Sequence, residues 1–322
     1  MSRRFVGARQ TTLAREVQLK GTGVHSGEPV SMVLHPAGID TGIRFLVSQR
    51  GRVVADIPAQ VDAIKNLTLC TVIGDDNGAT VGTVEHLMAA LTGLGIDNCI
   101  IEIDNREVPI MDGSSIVFVE AIDRVGLRTL SAPRKYLKVL KPVVFEDGDS
   151  LGELSPHNGF HLDVEIRFPN AVIGRQRLKM ELTPSDFRTE LSEARTFGFM
   201  SDVHRLWKSG LALGASLSNS VGICNERGVL NEEGLRFPNE FVRHKMLDAV
   251  GDLSLAGFAI LGAFKSVCGG HRLNANVVRT LLADPTSYAI VSGVDAGMTA
   301  PTHDVVRPSI VADRAPTALA GE

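Results

Sequence analysis

The order of extended and helical segments runs through twice along the chain, and this repetition constrains the fold more than any other feature. Residues 14–35 (AREVQLKGTGVHSGEPVSMVLH) read as strand, glycine-rich turn and strand. GIRFLVS and VVADIPAQVDAI extend the pattern. Thr83 is placed to cap a helix running VEHLMAALTGL, which Gly95 stops. NCIIEID follows as a buried strand, and residues 114–126 read as a second helix. Around Ala132–Pro133 the pattern starts again. KYLKVLKPVVFEDGDSLGELSP reads as a hairpin with a polar turn at Glu146–Asp149, and FHLDVEIRF alternates like a half-buried strand. Two later helices are expected near 239–256 and 274–283. Both halves run strands first and helices after, which points to a duplicated α/β unit, although no residue-level repeat accompanies it.

The expected class is therefore α+β, with 1–132 as a first α/β domain, 133–298 as a second, and 299–322 as a loose C-terminal tail containing Pro301, Pro308 and Pro316. A length of 322 residues suits two domains, and 44% hydrophobic residues mark a globular chain. The net charge of −4 offers no electrostatic footprint for nucleic acid. No run of 18 apolar residues exists to span a membrane, and the N-terminus lacks the apolar core of a secretory signal. Cys70, Cys99, Cys224 and Cys268 are far apart with no CxxC pair, so a disulfide framework is not expected and a cytoplasmic location is.

Four segments carry candidate chemistry. In FVRHKMLDAVGDL, His244 and Asp248 lie four apart, so they differ by about 40° around a helix and point the same way. Asp252 lies one turn further along the same stripe. Imidazole and carboxylate are both zinc ligands, yet a single His–Asp pair at this spacing is near chance, and an ordinary hydrogen bond along a helix face explains it equally. In TVEHL, Glu85 and His86 point about 100° apart, which suits a metal ligand beside a carboxylate base. It equally suits an acid favouring a helix N-terminus. His271 follows Gly269 and Gly270 and is either a cleft residue or a turn histidine. In SEARTFGFM, Thr196 offers a hydroxyl between segments that are either channel lining or core, as does the helix-like stretch SDVHRLWKSGLALGASL.

Together, TVEHLMAALTGLGIDN, EVPIMDGSS, RTFGFM, VLNEEGLRF and EFVRHKMLDAVGDL resemble the UDP-3-O-acyl-N-acetylglucosamine deacetylases of lipid A biosynthesis. The similarity runs from about residue 12 to about 285, in the family's order and spacing. It implies two α/β domains with helices packed between two sheets, and an active site between the domains. It implies a Zn2+ ion held by His86, His244 and Asp248, with Glu85 as general base. His271 and its partner Asp252, the oxyanion-stabilising Thr196 and the neighbouring Lys245 would complete the catalytic group. Phe197 and Phe199 would contact sugar and acyl chain, with Val203, Ala212 and Ser216 along the stretch that accepts the acyl group. The implied reaction converts an acylated UDP-amino sugar to acetate and a free amine, a committed step of lipid A biosynthesis, by a monomeric enzyme.

One segment departs from the family. The usual Lys-Ser-Gly-His reads here Cys268-Gly269-Gly270-His271, so a lysine that would approach the nucleotide phosphates is missing, with Lys265 and Arg272 the nearby cations. A deacetylase of another N-acetyl sugar keeps the same zinc site, and iron(II) suits the same ligands. A metal-free binding module is the alternative from another class.

Overall fold

The computed structural model describes residues 7–293, so the expected tail and the last residues of the second expected domain lie outside the described residues. Alternation sets the first sheet. Val17 and Leu19, then Val30, Met32 and Leu34, turn inward while their neighbours face out. The strands are β1 (Val17–Thr22), β2 (Pro29–Pro36), β3 (Ile43–Gln49), β4 (Arg52–Pro58) and β5 (Cys99–Ile103), in the spatial order β1-β2-β5-β3-β4. Here β5 runs antiparallel to β2 and parallel to β3.

The second sheet repeats this wiring. Its strands are β6 (Lys135–Val139), β7 (Val143–Asp147), β8 (Ser150–Ser155), β9 (Phe160–Arg167), β10 (Arg175–Glu181), β11 (Ala259–Val267) and β12 (Tyr288–Ser292). Within it, β7-β8-β11-β9-β10 reproduces the first order. Again the late strand β11 is antiparallel to the hairpin strand β8 and parallel to β9. Antiparallel β6–β12 is added at the side, with β6 parallel to the start of β11. Backbone topology thus carries the duplication that residue identity does not. A further antiparallel pair, Arg9–Leu13 with Leu127–Pro133, ties the start of the described chain to the segment entering the second sheet.

The helices follow the same rule. Helix α1 (Glu85–Gly93) precedes β5 and α2 (Ile116–Val125) follows it; α4 (Glu240–Leu253) precedes β11 and α5 (His271–Ala283) follows it. A separate short helix, α3 (Met200–Lys208), lies in the long connection before α4. Helix α4 packs on α1, on α5 and on β9–β10, α5 packs on β7–β8, and α2 meets β1. The helices therefore meet between the sheets, and one apolar cluster runs from Leu13 to Leu281 through both. Among the described residues no helix is long and apolar enough to cross a membrane.

Four local expectations are corrected. Thr83 does not cap α1: Val84 holds the cap position, while Thr83 has φ 56° and its hydroxyl donates to Glu107 Oε1 at 3.0 Å. Helix α5 begins at His271 rather than 274, and α3 stops at Lys208 rather than running on, because Gly210 takes φ 69°. The sharp turn before His271 is made by Cys268 at φ 52°, not by the glycines after it. Gly269 is there for space: a Cβ would come within 2.2 Å of Ser266 Oγ and 2.6 Å of Leu273 Cδ2.

Candidate metal centre

Helix α4 delivers His244, Asp248 and Asp252 one turn apart, all buried. His244 Nδ1 lies 3.0 Å from the carbonyl of Ala194. A carbonyl only accepts, so Nδ1 carries the proton and Nε2 keeps its lone pair. That Nε2 is 3.3 Å from Asp248 Oδ1, and His86 Nε2, from the first turn of α1, is 3.5 Å from the same oxygen. One donor atom from each of His86, His244 and Asp248 lies within 4.8 Å of the others. The other oxygen of Asp248 accepts from Lys245 Nζ at 2.6 Å. Asp248 therefore gives one oxygen to the lysine and turns the other toward two imidazoles.

The donor set fits a divalent cation. Asp248 Oδ1, the oxygen that faces the two imidazoles, is buried without a hydrogen-bond partner, a state that costs roughly 1–3 kcal/mol unless something else satisfies it. Burial pushes His244 down to about 3, with the charges of His86 and Lys245 adding to the effect against Asp248. Burial opposes ionisation of Asp248, but His244 and Lys245 outweigh it and hold the carboxyl well below its ordinary range. A neutral imidazole and an ionised carboxylate are the forms that coordinate metal.

Beside these candidate donors lies a second polar group. Glu85 is the first residue of α1, buried, and its Oε2 accepts the backbone N–H of Thr71 at 3.0 Å. Burial raises its pKa; the charges of His271 and His86 work against this, and those of Asp252 and Asp248 reinforce it. Glu85 Oε1 is 3.8 Å from His271 Nε2, whose Nδ1 donates to Asp252 Oδ2 at 2.9 Å. Burial opposes the charge on His271, yet Asp252 and Glu85 overcome it and push the imidazole up to about 9. Asp252 is itself fixed by Asn274 Nδ2 at 2.8 Å and by the Thr71 hydroxyl at 2.6 Å.

Thr196 lies in the segment that runs past these donors. Two residues before it, Ala194 holds His244, and just after it the Phe197 ring stands 6.2 Å from the His244 ring and 5.0 Å from Phe241. Phe199 packs at 6.0 Å from Phe168. Val203 is on α3, and Ala212 and Ser216 follow in the loop after it. That loop docks on the turn at residues 23–28: Leu213 and Gly214 donate to the carbonyls of His25 and Val24, and Ala212 N–H reaches His25 Nδ1 at 3.4 Å. Trp207 and Leu213 remain about half exposed at 53% each. Position 268 holds a thiol, and Arg272, next to His271, is paired with Asp147.

Several participants escaped the sequence reading. Burial lowers the pKa of His25, against the pull of Glu107, and the nearby charge of His271 lowers it further. Glu107 takes the N–H groups of His25 and Ser26 and the Thr83 hydroxyl, and so shapes that turn. A histidine inside the glycine-rich GTGVHSGEP turn was an available signal for the first. Thr71, Glu107 and Asn274 had none, because their partners are distant in sequence.

Comparison with known proteins is consistent across the chain. A family model described as LpxC, UDP-3-O-acyl N-acetylglycosamine deacetylase, matches residues 10–283. Relatives named UDP-3-O-acyl-N-acetylglucosamine deacetylase from Brucella ovis and Brucella canis are each 50% identical over 288 residues, covering 89% of this chain and 99% of the relative. A relative of the same name from Brucella melitensis biotype 2 matches to the same extent.

Proposed function

Because the chain belongs to the UDP-3-O-acyl-N-acetylglucosamine deacetylase family and is an amide hydrolase of lipid A biosynthesis, we propose that the buried group around His86, His244 and Asp248 is its catalytic centre. The observation that carries this reading is the convergence of those three donors with Glu85 and His271 in one buried cluster. His86, His244 and Asp248 hold the metal, and zinc suits their nitrogen and oxygen donors. When bound, the metal supplies Lewis acidity that lowers the pKa of water and polarises a carbonyl.

The chain's own residues do the remaining work. Glu85 accepts a proton from the attacking water; its burial-raised pKa suits a base that must later give the proton up. The Thr196 hydroxyl donates toward the oxygen that becomes negative as water adds to the acetamide carbon. His271, charged and held by Asp252, donates through Nε2 to the amine as the C–N bond breaks. Asp252, Thr71 and Asn274 orient it. Lys245 keeps Asp248 ionised and turned inward. Phe197, Phe199, Val203, Ala212 and Ser216 line the path of sugar and acyl chain, with Trp207 and Leu213 at its rim. The enzyme works as a cytoplasmic monomer of two units divided near residue 132.

Deacetylation of 3-O-acylated UDP-N-acetylglucosamine, measured before chelation, after it and after zinc return, tests the reading. Activity is expected to vanish with the metal and to recover as zinc approaches one equivalent. Full turnover by metal-free protein would sink it.

A further inference from the structure

We infer that the chain carries a second, solvent-facing site for a first-row divalent metal ion, built from His157, His161 and Glu181 on the outer face of the second sheet. These residues come from three neighbouring segments: the loop between β8 and β9, strand β9, and strand β10. His161 and Glu181 are direct cross-strand partners in the antiparallel β9–β10 register, so their side chains leave the same face. His157 Nε2 lies 3.2 Å from Glu181 Oε1 and 3.1 Å from Oε2, and His161 Nδ1 lies 3.4 Å from Oε2. The two rings are 5.7 Å apart between centroids.

The setting of Glu181 distinguishes it from the other acids on that face. Asp163 is paired with Arg177 and Lys179, and Glu165 with Arg167 and Arg175. Among the described residues, the ion-pair partners of Glu181 are the two imidazoles. The backbone is shaped to allow the arrangement. Gly159 has φ 142°, and a Cβ there would lie 2.0 Å from Glu181 Oε1, so only glycine lets the carboxylate lie across the loop. The side chains of His157, His161 and Glu181 are 39%, 34% and 32% exposed, which opens the cluster to an ion from solvent.

Two imidazoles and a carboxylate form a common zinc donor set, and the same set accepts copper and nickel. Zinc needs its donors at about 2.0–2.2 Å. Only the His86 group already brings three donors within 4.8 Å of one another among the described residues. In the outer cluster the two imidazoles, 5.7 Å apart between centroids, must therefore close on each other around the ion, which makes this site the weaker of the two. Once loaded, it ties the loop to both strands of the hairpin.

The test is zinc titration of the full chain with the buried centre already filled, reading bound zinc per chain by equilibrium dialysis. Two equivalents are expected for the wild type and one for the His157→Ala/His161→Ala double variant. Glu181→Gln, which keeps the side-chain size, should also weaken the second equivalent by at least tenfold. Excess zinc should raise the melting temperature of the wild type but not of the double variant, since a ligand bound only by the folded state stabilises it. A stoichiometry that stays at one, or a second equivalent that survives the double variant, would overturn the inference.

Discussion

Asp248 separates two tasks between its oxygens, one toward Lys245 and one toward His86 and His244. Removing His244 should therefore abolish tight metal binding, because it deletes a donor and leaves Asp248 facing a gap. Glu85 differs, since its carboxylate bonds to Thr71 and faces His271. Glu85→Gln should keep stoichiometric metal yet lose roughly 10²–10⁴ in kcat, the usual worth of a positioned acid–base group. Metal analysis and a deacetylase assay on one preparation separate the two variants, and near-wild-type kcat in the Gln variant would remove Glu85 as base. His271 predicts the alkaline limb. Its imidazole loses its proton as pH rises through about 9, so activity that needs the charged form falls there. The charge of a bound cation moves that limb down, not up. Asp252→Asn removes the strongest raising influence and should bring the limb further toward the ordinary value of 6.5. An unchanged pH–rate profile would dismiss this coupling. The candidate donors are local in sequence, since His244 and Asp248 share a helix face and Glu85 adjoins His86, yet that spacing alone was near chance and it was the family resemblance that gave them roles. The clamp was not legible, because Thr71 reaches Glu85 across 14 residues and Asp252 across 181.

At the scale of elements, the separation of α1 from α4 decides whether the two halves of the site meet. Gly251, inside α4, permits the approach: a Cβ there would lie 2.0 Å from the Glu85 carbonyl oxygen and 3.1 Å from its Cα. These are backbone atoms and cannot rotate away. Gly251→Ala gains helix propensity but must push the helices apart, and overpacking of this kind costs about 1–3 kcal/mol. Because the displaced residue is Glu85 itself, kcat should fall by more than the stability loss suggests, with His244 and Asp248 still able to bind metal. Denaturant midpoints together with kcat measure both effects; an Ala variant as stable and active as wild type would show that the helices yield freely. Sequence periodicity located α1 and α4 but carried no information on which residues of the two helices touch. The cap expected at Thr83 failed for the same reason. Its hydroxyl is taken by Glu107, 24 residues away, and that bond shapes the turn bearing His25.

For the whole molecule, the twofold order of strands and helices was readable from hydrophobic alternation, whereas the shared wiring of the sheets was not. Strand pairing is set by partners far apart in sequence, such as β8 with β11. What joins the repeats is equally non-local. Arg134, 3% exposed at the entrance to the second sheet, places Nε 2.8 Å from Asp97 Oδ1, just before β5 of the first. Burial already raises the Asp97 carboxyl above its ordinary range despite Arg134 and the Thr11 N–H. Arg134→Met would strand that carboxylate among buried atoms, at a cost of about 3–5 kcal/mol. The sign with pH follows. With the guanidinium gone, the folded-state pKa of Asp97 rises further above the unfolded value, so the folded form holds its proton over a wider range. The penalty therefore grows as pH rises through that range and eases in acid. Denaturant midpoints of the Met variant should lie closer to wild type at mildly acidic pH than at alkaline pH. Adding Asp97→Asn should recover much of the loss by removing the charge. If the midpoints instead drop equally at both pH values and Asp97→Asn restores nothing, the penalty comes from lost packing, and the ion pair adds nothing to the packed joint between the two repeats.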